Sequence, residues 1–360
     1  MLTNSKLIQN RTILWLLAAS ITLILFYLCP YQSVLIEQFY SRGLFRVYRI
    51  IWDHTLGYSP IPLVYIVLVG SILYLFGRLS FSRTAVHPRS GRYRFFHRLI
   101  RFICFAIVIF YWCWGFNYKR SSLNHLLGFS ADQPNEVWLR ASYCQVSEKM
   151  IDLRSRLGDV DVGDIYVSEE RLREDLQRTL TEIDLPVYGD VRARKIRPKG
   201  SLLHLSTAGV YLPWAGEGHI DKGLHPITHP FTMIHEMSHG YGWTGEDECN
   251  FLALITAISS DNDWAKYSGY FGYWRYLRYQ LYQLDQEAFD QLYRRGDDRI
   301  MKDYSDILAY SRNYREILPE LRDLFYDTYL KSHGISSGLI NYNQMIRLTY
   351  RWEQLHGSLW

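Results

Sequence analysis

Acidic residues are nearly absent from the first third of this 360-residue chain. Residues 1–118 contain only Glu37 and Asp53 against twelve lysines and arginines, whereas the remainder carries twenty-eight basic and thirty-four acidic side chains. The basic residues flank apolar segments instead of forming a soluble basic face, which is typical of membrane topology signals. We therefore expect a lipid bilayer as a partner and no nucleic acid.

Cysteine is scarce as well, with five in the chain and no CxxC pair among them. A cysteine-ligated metal site is therefore not expected. Three of the five lie in or beside apolar runs, and the sequence leaves a disulfide between the other two, Cys144 and Cys249, open without requiring it. No repeat and no low-complexity linker divides the chain, so one large or two modest domains are expected.

Long apolar runs occur only near the N-terminus, and they predict three transmembrane helices at about 13–28, 61–76 and 99–118. The middle run is the shortest, and a buried core helix is its alternative interpretation. No small-residue cleavage site follows the first run, and Cys29 lies in no convincing lipobox, so we predict a retained anchor. Residues 1–118 are thus predicted to form a membrane anchor and residues 119–360 an extracytoplasmic domain.

The charges that flank these runs predict their orientation, because lysine and arginine are retained on the cytoplasmic side. The connection between the second and third runs is the most basic, with Arg78, Arg83, Arg89, Arg92, Arg94, Arg98 and Arg101. Lys6 and Arg11 place the N-terminus on the same side. Three crossings then deliver the C-terminal domain to the periplasmic side of a bacterial inner membrane.

Residues 235–239 read His-Glu-Met-Ser-His, which is the HExxH pattern of zinc hydrolases. On a helix, His235 and His239 are four residues apart, so both imidazoles project from one face and can bind one Zn²⁺. Glu236 lies beside the metal as a candidate catalytic base. The alternative interpretation is a pair of ordinary helical histidines and a solvated glutamate.

A zinc ion bound by two histidines needs a third protein ligand and keeps a fourth position for water. Glu246 is the candidate, because three intervening glycines permit the chain to reverse sharply, and Glu248 is its competitor. Asn250 shares a helix face with Glu246 and can hydrogen-bond a ligand histidine, which resembles the ExxxD pattern of glutamate-type zincins. These carboxylates can also be read as first-turn acids that favour the helix dipole.

Other residues are weaker candidates for the site. His219, His225 and His229 precede the motif and can offer metal ligands, and Tyr267 can donate to a developing oxyanion. Segment 209–214 is predicted to be a strand in the position where zincins carry the edge strand that pairs with an extended substrate. An ordinary core strand is the alternative interpretation of that segment.

The remaining periodicity predicts an α+β domain that is mostly helical, with a small β-sheet. Strands are predicted at 191–196, 202–205 and 209–214. Helices are predicted at 135–157, 168–183, 231–241, 264–284, 286–295, 304–329 and 342–355. A further helix is predicted to follow a stop at Gly242, with Thr244 as its N-cap and its end near Ser259.

The chain resembles a known family through residues spread along most of its length. These are Trp114-Gly115-Phe116-Asn117-Tyr118, the 213–217 segment, His235 to His239, Gly242, Glu246, Glu248, Asn250, Phe251 and Tyr267-Ser268-Gly269-Tyr270. They look like the bacterial membrane family catalogued as domain of unknown function 3810. Segment 246–250 is also similar to the Glu-x-x-Ala-Asp third-ligand motif of other zincins, with Cys249 and Asn250 in place of Ala and Asp. The resemblance implies membrane helices followed by a zincin-like domain with the three zinc ligands named above.

These features predict a membrane-anchored zinc-dependent hydrolase, and among hydrolases a metallopeptidase that acts on a peptide or protein. Glu236 would take a proton from a zinc-bound water and deliver it to the leaving amine. A catalytically silent cell-envelope scaffold, with a structural metal site or none, is the alternative. Hydrolysis of a peptidoglycan stem peptide or another amide is a third possibility that the sequence leaves open.

Overall fold

The computed structural model describes residues 2–76, 88–159, 164–293, 296–317, 319 and 342–360. The chain forms two compact units, which are Met1–Ser121 with Leu212–Gly216 and Ser122–Tyr211 with Glu217–Trp360. The described part is mostly helical and contains one three-stranded sheet. The predicted α+β class with a small sheet is therefore confirmed.

Among its described residues, the first unit contains four α-helices, which are α1 (Leu2–Leu28), α2 (Phe45–Asp53), α3 (Leu63–Phe76) and α4 (Pro88–Cys113). A π-helical segment, Ile36–Leu44, precedes α2, and α1 packs along α4. Within the described residues, Ile8–Leu28 and Arg92–Cys113 are long and apolar enough to cross a bilayer. The structure therefore supports two candidate membrane-spanning helices, at the first and third predicted positions.

The middle predicted span, 61–76, is shorter than a membrane crossing requires. Helix α3 has 14 residues and so a length of about 21 Å, against a hydrocarbon core of about 30 Å. It is long enough to be a candidate span only when it is joined to the preceding helical segment, 36–58, and the angle between the two is 88°. Among the described residues, the candidate membrane crossings therefore number two, or three if this bent pair forms one of them.

The third predicted span, 99–118, has different bounds in the structure. Helix α4 begins eleven residues earlier, and at its C-terminal end the chain passes into a 3₁₀-helix, Gly115–Lys119. A Cβ on Gly115 would lie 2.8 Å from the ring of Phe110. The chain turns tightly back onto the end of α4 at this glycine, so the α-helix ends before the apolar run does.

The second unit contains nine α-helices among its described residues. They are α5 (Leu123–Leu126), α6 (Glu136–Leu157), α7 (Glu169–Glu182), α8 (His229–Gly240), α9 (Glu246–Ile258), α10 (Asp263–Leu284), α11 (Gln286–Tyr293), α12 (Asp298–Arg312) and α13 (Tyr342–His356). The sequence-based bounds of α6, α7, α10 and α13 are confirmed to within one residue at each end. Helix α12 begins six residues before the predicted 304–329 helix, and residues 320–329 of that prediction lie outside the described residues.

The sheet consists of β1 (Ala193–Ile196), β2 (Gly209–Leu212) and β3 (Glu217–Asp221), in the order β1-β3-β2. Strand β3 runs parallel to β1 and is buried along its whole length, and its inner neighbour is α8. The sequence missed β3 because its residues, Glu-Gly-His-Ile-Asp, are mostly polar and show no apolar alternation. Their burial depends on partners from distant segments, such as Arg194 for Glu217.

The strand predicted at 202–205 is wrong, since residues Leu203–Leu205 form a 3₁₀-helix. The carboxylate of the buried Asp221 accepts hydrogen bonds from the backbone amides of Leu202 and Leu203, at 2.7 and 3.2 Å. It also accepts from the amides of Gly200 and Gly223, at 2.9 and 2.6 Å. Asp221 follows the predicted strand by sixteen residues in the sequence, and its carboxylate thus holds the backbone of that segment in a turn.

Replacing Asp221 with alanine is expected to lower the free energy of unfolding by about 3 kcal/mol or more, because several buried amides lose a charged acceptor. Asp221→Asn is the matched control, since it keeps one acceptor oxygen and should lose less. Chemical denaturation of the detergent-solubilised chain measures both. An unchanged unfolding midpoint for Asp221→Ala would contradict this account of the turn.

Candidate metal centre

Helix α8 carries the HExxH residues and begins with Pro230 in its first turn, where the missing N–H costs no helical hydrogen bond. The four-residue spacing puts His235 and His239 on one face, and their Nε2 atoms are 3.2 Å apart. Both side chains are largely buried. The predicted helix at 231–241 is confirmed, with its last residue at Gly240.

The chain reverses after α8 through Gly242, whose φ of 88° lies in the left-handed region that glycine adopts at little cost. Helix α9 then begins at Glu246. Thr244 was predicted to cap it, but Gly245 occupies the N-cap position and contributes no side-chain acceptor. No side-chain hydrogen bond caps this helix start, and the acidic first turn, Glu246, Asp247 and Glu248, favours the positive end of the helix dipole instead.

Glu246 lies against both histidines, with Oε2 at 3.2 Å from Nε2 of His235 and Oε1 at 3.7 Å from Nε2 of His239. Within the described part of the chain, these three residues form the one His, Cys, Asp or Glu group whose ligand atoms could hold a metal ion. Glu248 faces another way, because its Oε1 accepts a hydrogen bond from the backbone N–H of Leu123 at 2.6 Å. Of the two competing carboxylates, the structure brings only Glu246 to the histidines.

The Nδ1 atom of each histidine is held by a separate acceptor. Nδ1 of His235 is 2.9 Å from Oδ1 of Asn250, whose own amide donates to the Tyr276 hydroxyl at 3.0 Å. Nδ1 of His239 is 2.8 Å from the carbonyl oxygen of Trp243. Because carbonyl and amide oxygens only accept, each Nδ1 atom donates a proton to its acceptor, and the Nε2 atoms are the ring nitrogens that face the centre.

The geometry of this cluster fits a zinc ion. Two ligands about 2.05 Å from a tetrahedral metal lie about 3.3 Å apart, which matches the 3.2 Å between the two Nε2 atoms. The Glu246 carboxylate beside the two imidazoles favours a positive charge at the centre, whether a metal ion or a proton. The Glu246 side chain is 41% exposed, so the centre is reachable from solvent, as a catalytic site with an open coordination position requires.

Glu236 occupies a closed cradle beside the histidines. Burial raises its pKa to about 7, against the opposing effect of the neighbouring imidazoles. Its side chain contacts two strand glycines, because a Cβ on Gly209 would lie 2.4 Å from Oε1 of Glu236 and a Cβ on Gly218 would lie 2.6 Å from its Cβ. Sequence reasoning missed these two glycines. Nothing in the sequence marks Gly209 and Gly218 as site residues except that each is a glycine within a short extended segment.

The other histidine candidates and Tyr267 do not join the cluster. Their partners lie elsewhere, with His219 paired to Glu217, the His225 ring against Tyr310, His229 bonded to the carbonyl of Leu224, and the Tyr267 hydroxyl donating to Asp303. Burial lowers the pKa of His229 to about 3, so it is neutral where it lies. Cys144 and Cys249 are both free thiols, the first exposed and the second buried, so the disulfide left open by the sequence is not formed.

Glu246→Ala is expected to weaken zinc binding by about a hundredfold or more, because it removes one of three protein ligands. Glu248→Ala is the matched control, two residues away on the same helix. It should keep zinc affinity within a few-fold and lose only its bond to Leu123. Competition with a fluorescent zinc chelator measures the zinc dissociation constant of each variant. A larger loss of affinity in Glu248→Ala than in Glu246→Ala would make Glu248 the third ligand instead.

The chain was compared with known families, curated proteins and solved structures. It matches the model of the family described as Protein of unknown function (DUF3810) over residues 40–350. No similarity to a curated protein or to a solved structure was found. The match spans the candidate metal centre and most of both units. The chain therefore belongs to the DUF3810 family of proteins of unknown function.

Proposed function

We propose that this protein is a membrane-anchored zinc-dependent hydrolase of zincin type, and specifically a metallopeptidase. The observation that carries the proposal is the convergence of His235, His239 and Glu246 beside Glu236 on the same helix as the two histidines. A buried carboxylate with a raised pKa next to a solvent-reachable metal cluster is typical of hydrolytic sites. A purely structural zinc site would be closed by a fourth protein ligand.

Zinc, when bound here, would lower the pKa of water and polarise an amide carbonyl. Glu236 would accept the proton of the attacking water and transfer it to the leaving nitrogen. Asn250 and the Trp243 carbonyl would keep the two imidazoles in the tautomer that leaves Nε2 available. The narrow space at Gly209 and Gly218 would hold the Glu236 carboxylate in one orientation and exclude bulk water from it.

An extended peptide is the substrate form that the sheet favours. Strand β2 is at the edge of the sheet, and its first residue, Gly209, lies against Glu236. A peptide added along that edge would pair with backbone groups and pass close to the base. This supports the interpretation of 209–214 as a substrate-binding edge, although the strand itself ends at Leu212.

The basic residues before α4 and in its first half, together with the candidate spans, support placement in a bacterial inner membrane with the second unit on the periplasmic side. A substrate in that compartment would be a peptide or protein of the cell envelope. The peptide moiety of the cell wall belongs to the same chemical class. All of these share an amide bond that an activated water can attack.

Metal analysis of the full-length protein, purified in detergent at neutral pH without added metal, tests the proposal. We expect close to one zinc per chain, removed by a strong chelator and restored by zinc. The absence of any bound metal, before and after zinc addition, would overturn the proposal. Elemental mass spectrometry on the gel-filtered protein gives the stoichiometry directly.

A further inference from the structure

The segment between α1 and α3 has an inverted distribution of polar and apolar side chains. Its buried stripe repeats every four residues and consists of Glu37, Ser41, Phe45, Arg49 and Asp53. Its apolar stripe consists of Leu35, Phe39, Val47 and Ile51, all of which are more than half exposed. Four residues advance close to one turn in both the π-helical part, Ile36–Leu44, and the α-helical part, Phe45–Asp53, and two residues advance about half a turn, so the two stripes lie on opposite faces. We call residues 35–53 the interface segment.

The buried stripe is satisfied by partners inside the first unit. Glu37 accepts two hydrogen bonds from the buried Arg120, each at 3.0 Å, and pairs with Arg42. Arg49 pairs with Asp53 and donates to the carbonyl oxygen of Gly216 at 2.7 Å. Breaking buried pairs of this kind costs several kcal/mol, so the interface segment cannot rotate to hide its apolar stripe.

The apolar stripe is left uncovered by the part of the chain that the structure describes. Phe39 is 73% exposed and Leu35 is 67% exposed, and contact of such apolar surface with water is unfavourable. In the sequence, the stripe lies between two apolar helices, α1 and α3. Residues 36–58 taken together with α3 are long and apolar enough to be a candidate membrane span. Both ends of the interface segment are therefore tethered to helices that suit a bilayer, which makes lipid the nearest available apolar phase.

Exposed arginines flank the apolar stripe and argue for the surface of the bilayer in preference to its centre. Arg42 and Arg46 are exposed and lie three and seven residues after Phe39, next to the apolar stripe. Arginine beside an apolar face is typical of helices that lie in the plane of an anionic membrane surface. We propose that the interface segment lies in the membrane surface, with its apolar stripe among acyl chains and Arg42 and Arg46 at anionic phosphate headgroups.

The opposite face of the interface segment holds the turn that joins β2 to β3, residues 212–216. Arg49 binds the carbonyl of Gly216, and the indole N–H of Trp52 donates to the carbonyl of Ala215 at 3.0 Å. Gly216 has a φ of 63°, and a Cβ there would lie 2.3 Å from the Trp52 indole nitrogen. One rigid segment thus contacts lipid on one face and fixes this turn on the other. Lipid contact and the position of the turn are therefore coupled.

Depth-dependent fluorescence quenching tests the proposal on the full-length protein. Phe39→Cys and Val47→Cys are made separately in a Cys144→Ser background, labelled with a bimane, and placed in nanodiscs of phosphatidylglycerol and phosphatidylcholine. Gln38→Cys, which is exposed beside Phe39 but outside the apolar stripe, is the matched control. The background chain without an added cysteine measures labelling of the remaining native cysteines.

We expect lipids brominated on their acyl chains to reduce emission at positions 39 and 47 at least about twofold more than at 38, and aqueous iodide to give the reverse order. Strong iodide quenching with no bromolipid quenching at 39 and 47 would overturn the proposal. A second copy of the chain could cover the stripe instead. Efficient disulfide cross-linking between copies through Phe39→Cys, with protection from both quenchers, would show that outcome and also overturn the proposal. A misfolded variant is recognised by an altered size-exclusion profile, and the two separately labelled positions, 39 and 47, must give the same result.

Discussion

The double variant His235→Ala, His239→Ala is expected to lose bound zinc completely at neutral pH. It removes two of the three proposed ligands and leaves Glu246, whose side chain is partly exposed, as a single carboxylate. Binding free energy for zinc is distributed over its ligands, so affinity should fall by at least about a thousandfold. Elemental analysis of the purified protein and chelator competition give the two quantities.

The control for this result is His125→Ala, which changes an exposed histidine on α5 outside the cluster. It should retain one zinc per chain. Far-ultraviolet circular dichroism checks that the double variant keeps its helices, since the hydrogen bonds to Asn250 and Trp243 are lost with the imidazoles. A folded double variant that still binds one zinc per chain would contradict the assignment of both ligands.

Glu236→Gln is expected to keep zinc and fold while reducing amide hydrolysis by about a hundredfold to ten-thousandfold. Glutamine has the same shape as glutamate, so it fits the close contacts that Glu236 makes with Gly209 and Gly218. An amide cannot accept the proton of the attacking water, so only the chemical step suffers. A quenched-fluorescent peptide library, read by mass spectrometry, measures cleavage by the full-length protein in nanodiscs.

Glu248→Gln serves as the matched control, because Glu248 bonds the Leu123 amide and lies outside the metal cluster. It should cleave the library at the native rate. If Glu236→Gln supports the cellular role of the protein as well as the native chain does, catalysis is excluded and the scaffold interpretation gains support. Zinc content measured on the same sample separates loss of the base from loss of the metal.

The approach of His235 to His239 could be predicted from sequence because their spacing is a local property. In HExxH, helical geometry alone brings two imidazoles to one face, and the glycines after it announce a reversal. The choice between Glu246 and Glu248 could not be made in this way. The two residues lie about 200° apart around α9, and the start of α5, more than a hundred residues earlier, engages Glu248.

The cradle of Glu236 was hidden for a related reason. Gly209 and Gly218 belong to short strands that sequence periodicity barely marks, and β3 is polar at alternate positions that are nevertheless buried. Glu217 and Asp221 are buried because Arg194 and four backbone amides satisfy them. Propensity describes a residue's own preference, whereas these residues follow their tertiary partners.

The interface segment shows the same division. Glu37, Arg49 and Asp53 are isolated charges in the sequence, and only the folded chain reveals that they are buried and paired, Glu37 with Arg120 and Arg49 with Asp53. Buried pairing removes them from the surface that the membrane meets. What remains exposed there is apolar, flanked by arginine.

The sequence by itself determined the family, the mostly helical class, the first and last candidate membrane helices and the two histidines with their neighbouring glutamate. Each of these depends on composition or on spacing within one element, where the backbone period dictates which side chains meet. The tertiary structure alone decided the position of Glu246, the cradle of Glu236, the polar strand β3 and the inverted interface segment. Those features depend on contacts between residues distant in sequence, whose energies no local pattern encodes.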